Sequence, residues 1–479
     1  MMGSEKSGEG KLFYYGFSLE KRVPKNHILR QVRAAVDFGF VRRSVAHCYG
    51  YNGHESEDPI VILKLMFLLF FEDVKSEREL MRMLPMRLDW LWFLNLDLDS
   101  EIPDHSILSK ARARWGRAVF QQLFVAVIEQ CVRAGLVDGS KIHLDGSLVE
   151  ANVCRDSVER ESLRRVYEDA EKKLTKIEVN QKRKWVSRTD PEAVVVRKGK
   201  QDRSRPRYKS HRAVDDRQGV ITAVKTTLAD RSEPHEAEGL MDGHEQSTGR
   251  RVRTVVGDHQ YGTNENYRRC VKRGIRCHLG DVKTSSAGKN AKLFSRKHFE
   301  YEVDTDRYRC RGGHYLKRYR TKKVEAEGFA DYRIKGKVCR QCELKSQCTT
   351  SKHGRRLKVP FELERVELGR AQSLSPAAYQ DRRRRKYLME GSFADATNCH
   401  HFKKARWRGL QKQSIQDLLI AVCQNVRILC RHSLLPTAQE CFEGNRPDKP
   451  AFLTFRHWFW SLGRLFWTPM RRQLEAEWL

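Results

Sequence analysis

Apolar residues recur at helical spacing along the first quarter of the chain. One apolar run starts after Pro59, a favourable first helical position. It predicts a buried helix, because it is too short to cross a bilayer and contains Lys64. Ser76 begins a capping box for the next helix, and further helical patterns cover 107–114 and 119–132. We therefore expect an all-α N-terminal region.

The pattern changes to alternating apolar and polar residues at 141–150, which predicts a strand. Later apolar runs and turn signals indicate further strands, and the helical segments between them give the order β, β, β, α, β, α, β. This order fits an α/β fold with a ribonuclease-H-like mixed sheet flanked by helices. The expected strands are residues 136–150, 208–214, 219–227, 252–257 and 275–279.

The chain is strongly basic, with a net charge of +31 over 479 residues and a pI of about 9.8. This charge is spread over the whole length and indicates a long polyanion as partner, since solubility needs far less. The 13 cysteines favour a reducing compartment, and the first residues lack a signal peptide. Basic residues of the N-terminal helices could contact DNA phosphates or could form a solvated face of a helical bundle. These residues are Arg42, Arg43, Lys110, Arg112 and Arg114.

Three carboxylates have a layout that can hold metal ions. Asp145 lies in the middle of the first strand, where aspartate has a weak propensity. Taken alone, it could be a turn or edge residue. Asp258 follows a second buried strand, and Glu390 lies on a strongly basic helix. Acids on a first strand, at the end of a later strand and on a late helix together favour a metal site.

Glu390 follows an arginine run on the same predicted helix. Arg383 and Lys386 precede it by seven and four residues and share its face. A solvated salt bridge between Lys386 and Glu390 is the ordinary explanation, but consecutive cations repel one another unless an anion binds. A second basic cluster is interleaved with Phe402 and Trp407. The candidate DNA-binding residues are Arg382, Arg383, Arg384, Arg385, Lys386, Lys403, Lys404, Arg406 and Arg408.

Four cysteines lie in a polar segment before the last acid. Cys339 and Cys342 have the two-residue spacing of a zinc knuckle, and Cys348 and Cys310 would complete four thiolates. His314 could substitute for one of them. Zinc would explain how a segment with few apolar residues folds, although ordinary reduced thiols remain the alternative. A redox pair is disfavoured, because Cys339 does not open a helix after a strand.

Several spaced stretches resemble the DDE transposases of bacterial insertion sequences, across nearly the whole chain. The resemblance is to a branch with a helical N-terminal domain and a cysteine-bearing insertion before the catalytic glutamate. The matching stretches are Pro103-Asp104-His105-Ser106, His143-Leu144-Asp145-Gly146-Ser147, Arg188-Thr189-Asp190-Pro191-Glu192-Ala193, Tyr208-Lys209-Ser210-His211 with Ala213-Val214-Asp215, Gly257-Asp258-His259-Gln260-Tyr261, and the arginine run ending in Glu390.

The resemblance implies Asp145, Asp258 and Glu390 as the catalytic triad. Asp145 would bridge two Mg²⁺ (or Mn²⁺) ions roughly 3.5–4 Å apart, and the other two acids would hold one ion each. The same site could use water to cut DNA and a 3′-hydroxyl to join it.

The region around the last acid departs from the family pattern. Related transposases place a tyrosine, an arginine and a lysine at set distances around that acid to grip the strand end. The corresponding positions here hold Arg383, Lys386 and Thr397. Two cations are retained, but the tyrosine and the downstream lysine are absent, so a hairpin intermediate on the element end does not follow from the resemblance.

The expected activity is that of a metal-dependent DNA transposase that binds the ends of its insertion sequence, cleaves DNA and joins 3′-OH ends to target DNA. Two alternatives stay open: a catalytically inactive, transposase-derived DNA-binding protein, and a ribonuclease-H-like nuclease or resolvase without strand transfer. The implied partner is double-stranded DNA, bound by a homodimer. The implied location is the bacterial cytoplasm, in association with the nucleoid. No membrane partner is expected.

Composition and pattern together divide the chain into five parts. The expected parts are a helical DNA-binding domain at 1–134, the first part of the catalytic domain at 135–280 with a helical excursion at about 155–205, the Cys-rich insertion at 281–366, the second catalytic part at 367–436, and an aromatic, basic tail at 437–479.

Overall fold

The computed structural model describes residues 18–50, 55–160, 185–199, 201–280, 293–319 and 328–433. The N-terminal part of the described chain is all-α, as predicted. Both of the later helical patterns fall within one long helix, which bends at Gly116, where φ is 66°. The helices are α1 (Leu19–Arg22), α2 (Ile28–Ala35), α3 (Phe40–Val45), α4 (Pro59–Phe71), α5 (Glu77–Met83), α6 (Leu88–Leu94) and α7 (Ser106–Arg133).

Local signals set the ends of α4 and α5, and α4 is buried along almost its whole length. The Asp58 carboxylate accepts a hydrogen bond from the first turn of α4, and the Ser76 hydroxyl accepts one from the Glu79 N–H at 3.2 Å. Lys64 is tolerated inside α4 because its ammonium group donates to the Phe93 carbonyl at 2.8 Å. The predicted buried helix and its neighbour's cap are confirmed.

A six-stranded sheet forms the centre of the molecule. In chain order, this region contains β1 (Lys141–Glu150), β2 (Val158–Arg160), β3 (Trp185–Ser187), β4 (Val194–Val196), β5 (Arg205–Asp215), β6 (Ile221–Leu228), α8 (Ala237–Thr248), β7 (Thr254–Gly257), α9 (Asn264–Lys272) and β8 (Arg276–Leu279). All of these strands belong to the six-stranded sheet except β2 and β3, which pair with each other. The strand β1 pairs antiparallel with β5 and parallel with β7, and β7 pairs parallel with β8. The far edge of β5 pairs with β6 and β4. This mixed order is ribonuclease-H-like.

The insertion is a second, five-stranded antiparallel sheet with its own apolar core. Tyr308, Leu316 and Val359 belong to that core. The segment therefore has a hydrophobic core of its own, which its polar composition did not indicate. Its elements are β9 (Glu300–Glu302), β10 (Arg307–Arg309), β11 (Tyr315–Arg318), β12 (Phe329–Arg333), α10 (Gly336–Arg340), α11 (Lys345–Cys348) and β13 (Arg356–Pro360).

Three further helices, α12 (Leu363–Ser373), α13 (Pro376–His400) and α14 (Leu410–Ser433), complete the two faces of the central sheet. On one face, Ile142 and Leu144 of β1 share a core with α8, α9 and α12. On the other, Val149 shares a core with α13, α14 and the N-terminal helices. Because side chains alternate along a strand, Asp145 lies on the face that α13 and α14 cover.

The N-terminal helices and the sheet are parts of one packed body. Apolar residues of α4 and α14 belong to the same core cluster. Arg427 of α14 donates to the Phe71 carbonyl at 2.7 Å, and His400 of α13 bonds the Phe70 carbonyl at the same distance. The described residues up to His432 accordingly form one compact unit.

Three predictions about segments differ from the structure. Helix was expected from about 157 to 185, but β2 and β3 pair as short strands at its two ends, and 161–184 lies outside the described residues. The end of the helical excursion predicted at about 155–205 is also strand, since β5 begins at Arg205. The pattern also missed β4. The aromatic tail at 437–479 lies outside the described residues.

No helix among the described residues is long and apolar enough to cross a membrane.

Candidate active site

Two of the three predicted acids meet at the end of the central sheet, together with an acid that the sequence did not single out. β1 and β7 are parallel neighbours that pair as far as His143 and Val256, so Asp145, in the middle of β1, and Asp258, just after β7, lie side by side. Glu233 joins them from the short 3₁₀ turn that follows β6. One ligand oxygen from each of the three carboxylates lies within 4.8 Å of the other two.

Backbone contacts hold the Asp258 turn. The Asp258 carboxylate accepts a hydrogen bond from the Gln260 N–H at 2.9 Å. Gly280, just after β8, passes so close that a Cβ there would lie 2.6 Å from the His259 Cα. A side chain at position 280 would therefore displace the turn, so the absence of one helps to keep Asp258 beside Asp145.

Asp145 has partners on both of its oxygens. Arg385 of α13 donates to Oδ2 at 2.8 Å, and the Gly146 N–H donates to Oδ1 at 2.8 Å. Burial raises the pKa of Asp145, and the charge of Asp258 raises it further, while Arg385 acts in the opposite direction. The carboxyl group is thus held close to a cation and to a second acid.

Glu233 has a similar electrostatic environment. Burial raises its pKa, the charges of Asp258 and Asp145 raise it too, and Lys209, at 3.6 Å, lowers it. Next to it, burial lowers the pKa of His211 to about 3, so this imidazole is neutral. Close carboxylates of this kind repel one another, and a divalent cation would remove that repulsion.

The structure places Glu390 away from this group. On α13, Asp381 and Arg385 face the sheet, where Asp381 pairs with Lys141 at 2.8 Å. Five residues advance a helix by about 140° beyond a full turn, so Glu390 lies on another side and is exposed. Arg383 is exposed as well. Glu390 shares a face with Arg383 as expected, but that face points away from Asp145.

Several of the predicted DNA-binding cations have partners within the protein. Arg382 donates to the Ser373 carbonyl at 2.7 Å, and Arg384 pairs with Asp216 at 2.7 Å. Arg385 pairs with Asp145, as described. The cations that are exposed are Arg383, Arg384, Lys386, Lys403, Lys404 and Arg408.

The second basic cluster is partly structural. The Arg406 side chain is only 9% exposed and packs over the Phe70 ring, so it is not on a surface that DNA could reach. Phe402 is buried and lies against the fully buried Arg212 guanidinium, at 4.7 Å. In the N-terminal helices, Arg112 is buried too and pairs with Glu77. These arginines stabilise packing.

The four predicted zinc ligands surround a small cavity in the insertion. Cys310, Cys339, Cys342 and Cys348 line about 20 Å³ of space together with His314. The His314 N–H donates to the Cys310 sulfur at 3.3 Å, a contact that also supports metal-bound thiolates. Among the described residues, no three of the thiol sulfurs lie within 4.8 Å of one another. The thiols are gathered around one point without tetrahedral spacing.

Two family models match this chain. A Transposase domain (DUF772) model matches residues 17–114, and a Transposase DDE domain model matches residues 309–430, which include α13 and Glu390. Together with the ribonuclease-H-like sheet, these matches support a DDE transposase of the insertion-sequence type.

Comparisons with individual proteins add little detail. A search of curated proteins found no match. Among solved structures, the chain is similar to a piggyBac transposase in a cryo-EM structure of its synaptic complex with hairpin DNA. The identity is 9%, the similarity covers 85% of this chain and 74% of that one, and the TM-score is 0.35.

Proposed function

We propose that this DDE transposase binds the ends of its own insertion sequence, cleaves DNA there and joins the 3′-OH ends to target DNA. The observation that supports this most directly is the convergence of Asp145, Asp258 and Glu233 at the edge of the sheet. Carboxylate oxygens are the ligands that Mg²⁺ and Mn²⁺ prefer, so the donor set fits these metals.

The acids have distinct roles in this proposal. Asp145 and Asp258 would hold the divalent ions, and such ions would supply positive charge to the phosphodiester and activate the attacking hydroxyl. Glu390 remains the predicted third catalytic acid. In the described conformation it faces away, so its participation requires α13 to turn or shift toward the sheet.

DNA is the proposed partner because the chain carries a net charge of +31 and has exposed cations on α13 and in the segment that follows it. Arg383, Lys386, Lys404 and Arg408 are proposed to contact phosphates of the element end or of the target. Pairing two ends requires at least two chains, so we propose a homodimer on DNA. This substrate places the protein at the bacterial nucleoid, in the cytoplasm.

Incubation of the purified full-length chain with Mg²⁺ and its flanking element ends tests the proposal. We expect Asp145→Asn and Asp258→Asn to abolish cleavage while end binding stays within a few-fold of wild type. Asp304→Asn, which changes an exposed acid of the insertion, is the control and should cut normally. Normal cleavage by Asp145→Asn would show that the wrong acid is assigned.

The same incubation separates the two alternatives. A nuclease or resolvase would release cut ends but would not join them to a target plasmid. A catalytically inactive DNA-binding protein would retain the ends and leave them uncut at every Mg²⁺ concentration.

We also propose that the cysteine cavity holds one structural Zn²⁺. Its support is the gathering of Cys310, Cys339, Cys342 and Cys348 around one small space. Elemental analysis of protein purified without added zinc should find about one zinc per chain, and Cys342→Ser should lose it while Cys154→Ser, an exposed cysteine elsewhere, keeps it. Zinc-free wild-type protein with normal thermal stability would contradict this proposal.

A further inference from the structure

We infer that Glu233 is a direct ligand of the metal held by Asp145 and Asp258. This inference rests on the proposed metal-dependent function and adds a ligand that comes from a different part of the fold. Glu233 begins the 3₁₀ turn Glu233–Glu236, which returns the chain from the sheet edge after β6. Its carboxylate reaches within 4.8 Å of both aspartates.

The fold makes room for this approach. Gly146 follows Asp145 in β1, and a Cβ there would lie 3.1 Å from the Glu233 carboxyl carbon and 3.2 Å from His211 Nδ1. Such distances are tighter than nearly all real Cβ contacts. The Glu233 side chain therefore packs over the backbone next to Asp145, where a side chain at position 146 would press against it.

Two buried polar groups beside the acids indicate a ligand. Across the described residues, His211 Nδ1 and the Tyr261 hydroxyl have no hydrogen-bond partner, and both side chains are completely buried. The charges of Glu233, Asp145 and Asp258 all act on the Tyr261 hydroxyl, which places it near the cluster. Buried polar groups of native proteins are normally satisfied, and a metal-bound water at the acids would satisfy these two.

The hydrogen-bond network fixes what His211 can do. The Thr227 hydroxyl donates to the Leu228 carbonyl at 3.2 Å, so it accepts from His211 Nε2 at 2.9 Å. The proton of this neutral imidazole is then on Nε2, and Nδ1 presents a lone pair. A water bound to a metal at the acids is a strong donor and would satisfy that lone pair, as the Tyr261 hydroxyl would satisfy a carboxylate or water oxygen.

An ordinary structural role explains Glu233 less well. Its salt-bridge partner, Lys209, is 3.6 Å away and also donates to the Arg231 carbonyl at 2.9 Å. Glu236, in the same turn, has a much closer partner in Lys225, at 2.7 Å. A salt bridge to Lys209 alone does not explain why Glu233 lies close to the carboxylates of Asp145 and Asp258, because their negative charges repel it.

Mn²⁺ binding to the full-length chain without DNA tests the inference, with free Mn²⁺ followed by its EPR signal. Glu233→Gln keeps the shape of the side chain and removes its charge. We expect its Mn²⁺ affinity to fall about tenfold or more. Glu236→Gln, the matched control in the same turn, should bind as wild type. Asp258→Asn should lose binding and serves as the positive control.

Thermal unfolding gives a second readout that a purely structural role would not produce. Without metal, Glu233→Gln should melt at or above the wild-type temperature, because it removes repulsion among three carboxylates. With saturating Mn²⁺, its gain in melting temperature should be smaller than that of wild type. A salt-bridge role predicts the opposite in metal-free protein, namely a lower melting temperature for Glu233→Gln.

The outcomes distinguish the two proposals. If Asp258→Asn loses Mn²⁺ binding and Glu233→Gln keeps it, Glu233 is not a ligand and the proposed function stands. If the wild type binds no Mn²⁺ at this site, the metal-dependent function and the Glu233 assignment both fail. Loss of binding in both variants, with Glu236→Gln intact, supports both.

Discussion

The ion pair between Arg385 and Asp145 should compete with metal binding, and Arg385→Gln tests this. Arg385 donates to Asp145 Oδ2 at 2.8 Å, and the Gly146 N–H takes Oδ1. Both oxygens therefore already accept a hydrogen bond, and the positive charge of the guanidinium at Oδ2 opposes the approach of a metal ion to that oxygen. Replacing the arginine by a neutral glutamine removes that competitor and one positive charge from the site.

The size of the effect follows from the environment of the pair. Two unit charges about 4 Å apart attract by roughly 4 kcal/mol at an effective dielectric constant of about 20. The side chains of Arg385 and Asp145 are 14% and 24% exposed, so solvent screens part of this attraction. We take about 1–2 kcal/mol as the remaining competition, which corresponds to a roughly five- to thirtyfold change in affinity.

Isothermal titration of DNA-free protein with Mn²⁺ measures the change. Arg385→Gln should bind Mn²⁺ about five- to thirtyfold more tightly than wild type. Arg383→Gln changes an exposed arginine on the same helix and should bind as wild type, which controls for the general loss of positive charge. Unchanged or weaker binding by Arg385→Gln would refute the competition and would mean that Arg385 supports the metal-bound form of Asp145.

Three other substitutions have definite expected outcomes. Gly391→Ala, in the interior of α13 with open space at its Cβ among the described residues, should stabilise the protein by about 1 kcal/mol in thermal melts. Gly280→Ala should displace the Asp258 turn, destabilise the protein by about 1–3 kcal/mol and weaken Mn²⁺ binding about tenfold or more. Burial raises the pKa of Asp417 above its ordinary 3.8, so the stability that its protonated form contributes is present below that value and lost as pH rises through the folded-state pKa. The advantage of Asp417→Asn over wild type in urea unfolding should therefore grow from pH 4 to pH 8.

Each of these has a contrary result. A lower melting temperature for Gly391→Ala would mean that α13 needs flexibility at this point. Wild-type Mn²⁺ affinity in Gly280→Ala would show that the Asp258 turn tolerates a side chain. A pH-independent difference between Asp417→Asn and wild type would show that Asp417 is equally ionised in the folded and unfolded chains.

Local signals in the sequence predict the elements whose causes are local. Pro59 begins α4, Ser76 caps α5, and alternation of apolar residues defines β1, so these predicted features are confirmed by the structure. The order of elements predicted a mixed ribonuclease-H-like sheet, and the structure adds which strands are neighbours in it. The adjacency of Asp145 and Asp258 follows in turn from the parallel pairing of β1 and β7.

What the sequence did not predict depends on how elements return to one another in space. Glu233 follows a strand on the outer edge of the sheet, and only the β5–β6 hairpin and the turn after it bring the glutamate back to β1. In the sequence, Ser232-Glu233-Pro234 has the pattern of a helix start, with no sign of metal chemistry. The one available signal was Gly146 beside Asp145, whose open side Glu233 occupies.

Helix rotation was the other feature beyond the sequence pattern. Glu390 and Lys386 share a face, as their spacing requires, but spacing does not say which face meets the sheet. The contacts of Asp381 and Arg385 decide that. Likewise, Arg406 looks like a DNA-binding cation in the sequence, and only its packing over Phe70 shows that it is buried.

The core that α4 shares with α14 has a consequence for synthesis of the chain on the ribosome. Roughly 340 residues separate Phe71 from Leu410. At a translation rate of about 5–20 residues per second, the apolar surface of α4 that packs against α14 stays uncovered for about 20–70 s before α14 is synthesised. During that interval chaperones and proteases can bind the exposed apolar surface of the nascent chain. A chain truncated before α14 would leave that surface permanently exposed.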